Sequence, residues 1–580
     1  MLLDCNGSEL NMMSTTKNKQ ILLLLAILAL AALEVAARFS FAGAFIIKNV
    51  EAFFHRTLRD PARWIDIIQH TTALAIFVFL NVYFLNYIAF GVKIKSAVAG
   101  EFFKIKPALF CKKTLACFGL ACALLFAAYF NLMTAHFFYA DDVFRNYGGS
   151  RSWIGFSRYV SEFFSIFVHN NIRLNDIAPL SQFIAIAVAG AAVVVLSFAL
   201  AEEVSAANVL ALSAVFMAPS YAECMAYRFD SPYMAMSLLF AAVPFLFYQN
   251  KRAFAYVSLI SLLLTCASYQ AALPLYILAA IYLFAKDWLK SGDVKKSLER
   301  PLTAAVCFAA ALLLFKLFFM NKMGDGSDSY FSSQVSLAAL PKNAFEYVKT
   351  AFSCHGGRLS KALFVLSIVL LVSGFVRRAG GNKIAAFALS AALVIAALVL
   401  SYGPYLVFAR PVMAPRAFMG FNVFAAFILL ACVNLSREWP RLRKISLAVL
   451  ALSLYSFAVF AFTFGNCLKN QKEYENFRVQ MIIADLAQNV QKGDEVSVSF
   501  VGRMDLCQKN RIAYRNYPVL KRMNYPMPSE SALWNEELLN GYNFSCVSAN
   551  NKLSGEYVLI KQTAYHSVYK NGKDFIVELK

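Results

Sequence analysis

Charge is scarce in this chain. Only 15% of its 580 residues are Asp, Glu, Lys or Arg, where a soluble globular chain carries about a quarter. That shortage argues against an ordinary soluble domain. With 59% hydrophobic residues and repeated apolar runs of spanning length, it points to a polytopic helical membrane protein. Histidine is rare too: the six are scattered, Cys354-His355 alone is too small a ligand set for a metal, and none of the twelve cysteines has zinc-site spacing. No Gly-rich phosphate loop follows a strand, so no nucleotide-binding fold is visible. Internal repeats and low-complexity linkers are absent as well. Acidic residues are few, 34 against 55 basic ones, for a net charge of +21. Such an excess can signal nucleic acid, but here Lys and Arg concentrate in short loops between spans, as cytoplasmic loops do. No nucleic-acid partner is expected.

What is present is a series of spans. Residues 1–20 are polar, and Ile21 to about Ala37 reads as a retained first span, with no cleavable signal evident. Residues 51–68 mix Phe53, Phe54, Trp64 and Ile65 with Arg56, Arg59 and Arg63, the pattern of a helix lying in the interface. A second span covers 71–92. The stretch from Lys93 to Lys113 holds six lysines against Glu101 and is expected as a cytoplasmic loop that fixes orientation. Further spans are expected at 114–133, 179–199, 205–218, 233–249, 254–268, 270–285, 302–320, 362–376, 386–402, 421–434 and 445–465, about thirteen in all. Loops assigned inside carry Lys251-Arg252, Lys286 to Arg300, Arg377-Arg378-Lys383 and Arg437 to Lys444. The Glu202-Glu203 turn is the exception to this parity.

The same parity puts residues 466–580 outside, as a small α+β domain. Glu473–Val490 has helical periodicity, while Glu495–Phe500 and Tyr557–Ile560 read as strands. Asn571-Gly572 signals a type I′ hairpin. Exported Cys354, Cys467, Cys507 and Cys546 can pair, with partners unreadable from sequence. Three regions are therefore expected: an N-terminal extension 1–113, a membrane core 114–465 and an outer domain 466–580.

The outer loops read together as one surface. Asp141 and Asp142 emerge just after a span, followed by Arg145, Arg151 and Arg158. Charges this near hydrocarbon are costly and suggest function, although a single acidic pair commonly marks only a helix end. The next outer loop brings Glu223, Tyr227, Arg228, Asp230 and Ser231, and later ones bring Tyr269-Gln270 and Pro415-Arg416.

The run Tyr139-Ala140-Asp141-Asp142-x-x-Arg145, with Trp153 and Ser157-Arg158, resembles the first-loop motif of bacterial O-antigen-converting glucosyltransferases of the Gtr type II family. Glu223-x-x-x-Tyr227-Arg228-Phe229-Asp230-Ser231 is similar to that family's next motif, and Ser268-Tyr269-Gln270-Ala271 and Pro415-Arg416 continue in order. The resemblance covers about 114–465. It departs at residues 1–113, which precede the usual start, and at Ser157, where Gly is expected.

The resemblance implies an all-α polytopic fold of the GT-C class. It also implies transfer of a glucosyl group from a polyprenyl-phosphate sugar to a surface or lipid-linked glycan, such as lipopolysaccharide O-antigen. The transfer would take place on the extracytoplasmic face of the bacterial inner membrane, with a polyprenyl-phosphate glucosyl synthase and a flippase acting upstream. The residue types suit that chemistry. An inverting transfer needs a carboxylate to take the acceptor's proton, here Asp141 or Asp142, with Asp141 favoured by the resemblance. The leaving phosphate needs a positioned cation, from among Arg145, Arg158, Arg228 and Arg416. Glu223, Tyr227, Asp230, Tyr269 and Gln270 complete the expected substrate-binding set. No cofactor is expected beyond the donor lipid, and metal dependence is open. Competing readings are a lipid-linked sugar transporter or flippase, a GT-C enzyme with another donor or acceptor, and an envelope scaffold. Transporters tend to show repeats and midplane charges, which this chain does not.

Overall fold

The computed structural model describes residues 92–320, 332–491, 493–530, 534–548 and 556–580. The expected spans before residue 92 and the interfacial helix at 51–68 lie outside the described residues.

The chain is mostly helical. In order, the helices of the membrane part are α1 (Val92–Leu109), α2 (Lys112–Met133), α3 (Asp142–Gly148), α4 (Tyr159–Val168), α5 (Leu180–Ala201), α6 (Ala206–Met217), α7 (Tyr221–Ala226), α8 (Ser231–Ala242), α9 (Lys251–Cys266), α10 (Pro274–Ser291), α11 (Val294–Phe318), α12 (Leu340–Cys354), α13 (Arg358–Arg378), α14 (Lys383–Leu400), α15 (Met419–Leu435) and α16 (Pro440–Ala487). A helix is thus found at each expected span in the described residues. Seven are long and apolar enough to cross a bilayer: α2, α5, α10 with the turn before it, α11, α13, α14 and α16.

The expected spans at 205–218, 233–249, 254–268 and 421–434 are shorter helices, so the described residues do not confirm the count of thirteen. A helix apolar all round is one enclosed by its neighbours. α15 is such a helix, buried without a break from Met419 to Val433. Gly420 lets it in: a Cβ there would lie 1.9 Å from the Ser401 carbonyl oxygen. Gly465 does the same for α16, where a Cβ would come within 2.8 Å of the Leu132 nitrogen on α2. Small residues permit this closeness between helices in lipid.

The basic segment 93–113 is mainly helix rather than loop, since α1 takes up most of it. Glu202 and Glu203, the acidic exception to the charge parity, are explained by their partners. Glu202 pairs with Lys286 (2.9 Å) and Lys290 (3.1 Å), and Glu203 with Arg437. The acids are neutralised by the basic segments of their own end of the bundle. A cavity of about 300 Å³ opens there, far along the bundle from the motifs, rimmed by Lys286, Lys290, Arg378 and Arg437.

α16 changes the picture of the C-terminal region. It is one helix of 48 residues, roughly 72 Å long at 1.5 Å per residue. The expected boundary near 465 and all but the last three residues of the separate helix at 473–490 fall inside it. Its far end carries Val479, Ile482 and Leu486 onto a five-stranded sheet whose strands, in spatial order, start at residues 546, 496, 574, 566 and 558. A two-stranded ribbon, β1 (Ser332–Val335) with β2 (Phe408–Arg410), lies in the membrane part. The sheet comprises β3 (Val496–Val501), β4 (Cys546–Ser548), β5 (Val558–Gln562), β6 (His566–Asn571) and β7 (Asp574–Leu579). β3 is parallel to β4 and β7; the other pairs are antiparallel.

Val496, Val498 and Phe500 alternate inward, as a half-buried strand requires. The hairpin is present one residue later than expected. Gly572-Lys573 form its turn, and of the two only Gly572 has positive φ (61°). Type I′ needs both, so the turn has the pattern of type II′. The stretch around 506–525 leaves this domain and packs into the membrane-side core through Tyr514, Val519, Leu520 and Met523. Cys354, Cys467 and Cys507, three of the four cysteines expected to be exported, are free thiols.

Candidate active site

At the end of α2 the chain turns sharply through His136 (φ 50°) and Ala140 (φ 49°) into the short helix α3. Left-handed residues other than glycine are uncommon and cluster at functional sites. Ser157, the departure from the family's Gly, is a third, at φ 59°. Gly suits that position because it has no Cβ to clash there.

The two adjacent acids separate completely. Asp142 is fully buried. Its Oδ2 accepts from the backbone N–H of Tyr139 (3.0 Å) and Arg228 (2.9 Å), and its Oδ1 from Phe229 N–H (3.4 Å). It therefore ties the first motif loop to the turn between α7 and α8. Burial pushes its carboxyl up to about 8, aided by the nearby Asp230 and opposed by the two closest N–H donors and Arg145. Asp141 is half-buried at the start of α3, with no side-chain hydrogen bond or ion pair among the described residues. Its charge acts on Tyr227.

The second loop returns the tie. Asp230 pairs with Arg145 (3.0 Å) and accepts the Trp153 indole N–H. The Arg145 guanidinium lies 4.0 Å from the centre of the Trp153 ring and donates to the carbonyls of Ser150 and Arg151. Arg145 and Asp230 are closed from solvent and spent on each other. Arg228 pairs with Asp176 at 2.7 Å and lies over Phe138 at 4.8 Å. Neither Asp230 nor Glu223, its neighbours in the second motif, is its partner.

Glu223 is the hub of a third tie. Fully buried, it accepts from the Arg416 backbone N–H (2.6 Å) and guanidinium (2.8 Å), and from the hydroxyls of Tyr139 (3.2 Å) and Tyr525 (3.5 Å). Arg416 keeps a fifth of its side chain exposed.

Arg158 differs from the other arginines. Half-buried, it has no carboxylate partner among the described residues. It rests on Tyr269 at 4.5 Å and Phe156 at 5.1 Å, with Gln270 Oε1 at 3.5 Å. Gln270 in turn donates to the Phe156 carbonyl at 3.1 Å. Tyr269 feels both Arg158 and Arg416, while Tyr227 feels Arg416 and Asp141. Burial outweighs these charges and pushes both phenols up, so the two tyrosines remain protonated. One unpartnered carboxylate and two partly open guanidiniums thus border a tyrosine floor.

Sequence reasoning missed Tyr525, which reaches Glu223 from 302 positions away, and Met523, whose carbonyl accepts from Tyr139 at 2.7 Å. It also missed Asp176 and Trp534, which stacks on Phe144 of α3 at 4.7 Å. Asn524-Tyr525-Pro526 has no periodic or motif signal that could have marked it. Among the described residues no three of His, Cys, Asp and Glu are grouped to hold a metal.

The glucosyl transferase GtrII family matches residues 130–427, a range that includes Asp141, Arg158, Glu223, Tyr269 and Arg416 but not Tyr525. A protein of Salmonella phage P22, described as an uncharacterized 55.3 kDa protein in the gtrB 5′ region, is 22% identical over 452 residues. That alignment covers 72% of this chain and 88% of the phage protein.

Proposed function

We propose, because this chain belongs to the glucosyl transferase GtrII family, that it moves a glucosyl group from a polyprenyl-phosphate donor to a surface or lipid-linked glycan such as lipopolysaccharide O-antigen. The reaction is a single displacement with inversion. The acceptor hydroxyl attacks the anomeric carbon, its proton passes to a carboxylate, and the polyprenyl phosphate departs with the bonding pair. The donor carries its own activated bond, so the protein has to supply a base, a counter-charge for the leaving phosphate and fixed geometry.

The observation that carries this assignment is the division between the two acids. Asp141 alone is half-open and unpartnered among the described residues, which suits a base. Asp142 is sealed and engaged by three backbone N–H groups. Arg158, over Tyr269, and Arg416, over Tyr227, keep exposed surface and suit the leaving phosphate. Asp142, Arg145, Glu223 and Asp230 then act as positioning residues that lock the loops, with the Tyr227 and Tyr269 rings as a floor for sugar. The prenyl chain runs between the apolar helices. The active end is extracytoplasmic in the inner membrane, a reading supported by the basic segments gathered at the opposite end. A synthase that makes the lipid-linked glucose and a flippase that delivers it act before this step.

Incubating membranes that contain the protein with polyprenyl-phosphate glucose, and in parallel with the mannose, galactose and arabinose analogues, tests the donor. Consumption of the glucose donor alone, dependent on a glycan acceptor, is expected. Faster use of another sugar, or movement of donor across the membrane without transfer, would overturn the assignment.

A further inference from the structure

A cleft of about 630 Å³ outside the membrane core is lined by Arg503, Arg511, Arg515 and Lys521, with Asp505 as its one carboxylate. All four cations are exposed, and none has an ion-pair partner among the described residues. Lys509 beside the cleft is by contrast paired, holding Glu473 at 3.0 Å. Four like charges around one cavity repel one another, and an anion between them relieves that repulsion.

The height of the cleft along α16 indicates which anion. The apolar run of α16 ends at Lys469. The stretch bearing the cleft is fixed to the helix at that level, with Asn510 donating to the Cys467 carbonyl (2.9 Å) and facing Asn470 (2.8 Å). Tyr517 lies lower, its ring 5.3 Å from that of Phe460, which is roughly 13 Å below Lys469 at 1.5 Å per residue. Between them the short helix Arg511–Asn516 exposes 55% of Ile512. An exposed isoleucine among arginines, at the depth where a helix leaves hydrocarbon, suits the headgroup layer.

We infer that this cleft binds the phosphate of an anionic lipid in the leaflet on the motif side of the membrane, with Arg511, Arg515 and Lys521 around the headgroup and Ile512 against the acyl chains. The same stretch continues into Met523 and Tyr525, which touch Tyr139, Glu223 and Arg416. A lipid held there steadies the segment that closes over the candidate active site. The inference does not depend on which sugar is transferred.

Full-length protein in mild detergent is titrated with phosphatidylglycerol, with phosphatidylcholine and with phosphatidylglycerol plus inorganic phosphate, and bound lipid is counted by native mass spectrometry. At least a tenfold preference for phosphatidylglycerol is expected. Each exposed cation removed, as Arg511→Ala, Arg515→Ala or Lys521→Ala, should weaken it about fivefold. Arg511→Glu with Arg515→Glu should abolish the preference. These side chains are exposed, so folding is expected to survive, and an unchanged melting temperature confirms it. Equal occupancy by the two lipids, or a preference untouched by charge reversal, would overturn the inference. So would full displacement by millimolar inorganic phosphate, which would assign the cleft to a soluble anion.

Discussion

Replacing the two adjacent acids one at a time should give opposite phenotypes. Asp141 is half-buried and has no polar partner among the described residues, so Asp141→Asn should change stability by no more than about 0.5 kcal/mol. Its effect should fall on the reaction, as a loss of roughly 10²–10⁴ in rate from removing the proton acceptor. Asp142 is the reverse. Asp142→Ala strands the N–H groups of Tyr139 and Arg228, and the longer contact from Phe229, inside a closed site. At about 1–3 kcal/mol per stranded donor, the two short bonds alone are worth about 2–6 kcal/mol, a large part of the stability of an ordinary domain. Asp142→Asn keeps an acceptor oxygen and should be much milder. Glucosyl transfer in membranes, read beside the melting temperature of the purified variants, separates the two. Parent-rate transfer by Asp141→Asn, or parent-like stability of Asp142→Ala, would refute the division of roles.

Three further outcomes are expected. Arg158→Ala should lower kcat/KM for the lipid donor by about 10–100-fold through loss of a charge-assisted phosphate contact, with Arg158→Lys restoring only part because the stacking on Tyr269 and Phe156 is lost; steady-state kinetics with varied donor checks this. Because burial raises the Asp142 carboxyl to about 8, the folded protein keeps a proton that the unfolded chain releases near 4; stability should therefore fall as pH rises from about 4 to about 8 and then level off, a slope that Asp142→Asn should flatten in melting curves. Reporter fusions should find Lys104 cytoplasmic and Glu530 extracytoplasmic; an active cytoplasmic reporter at Glu530 would invert the proposed face.

Much of the site was legible because its motif residues lie in short runs beside long apolar helices. Asp141-Asp142, Glu223 to Asp230, Tyr269-Gln270 and Arg416 stand out against the hydrocarbon background, and the structure brings them to one end of the bundle. Their division of labour was not legible. Arg145 and Arg158 look equivalent in sequence, yet one is locked to Asp230 and the other rests on two aromatic rings with no carboxylate beside it. Partner choice depends on which loops meet, and no local pattern carries that information. Tyr525 and Asp176 were missed for the same reason.

Periodicity and hydropathy by themselves determined that the chain is a helical membrane protein, where the longer apolar helices lie among the described residues, and that its C-terminal region contains strands and a hairpin. These follow from local physics: apolar runs must satisfy their backbone internally in lipid, and alternation marks a half-buried strand. Only the tertiary structure decided which apolar helices, like α15, are enclosed by the others. It alone revealed that α16 runs unbroken from the apolar bundle to the C-terminal sheet, and that residues 517–525 turn back to touch the motif loops. The adjacent acids differ for the same reason. Neighbouring residues on a helix point about 100° apart, so the packing of the α7–α8 turn against α3 encloses Asp142 and leaves Asp141 open.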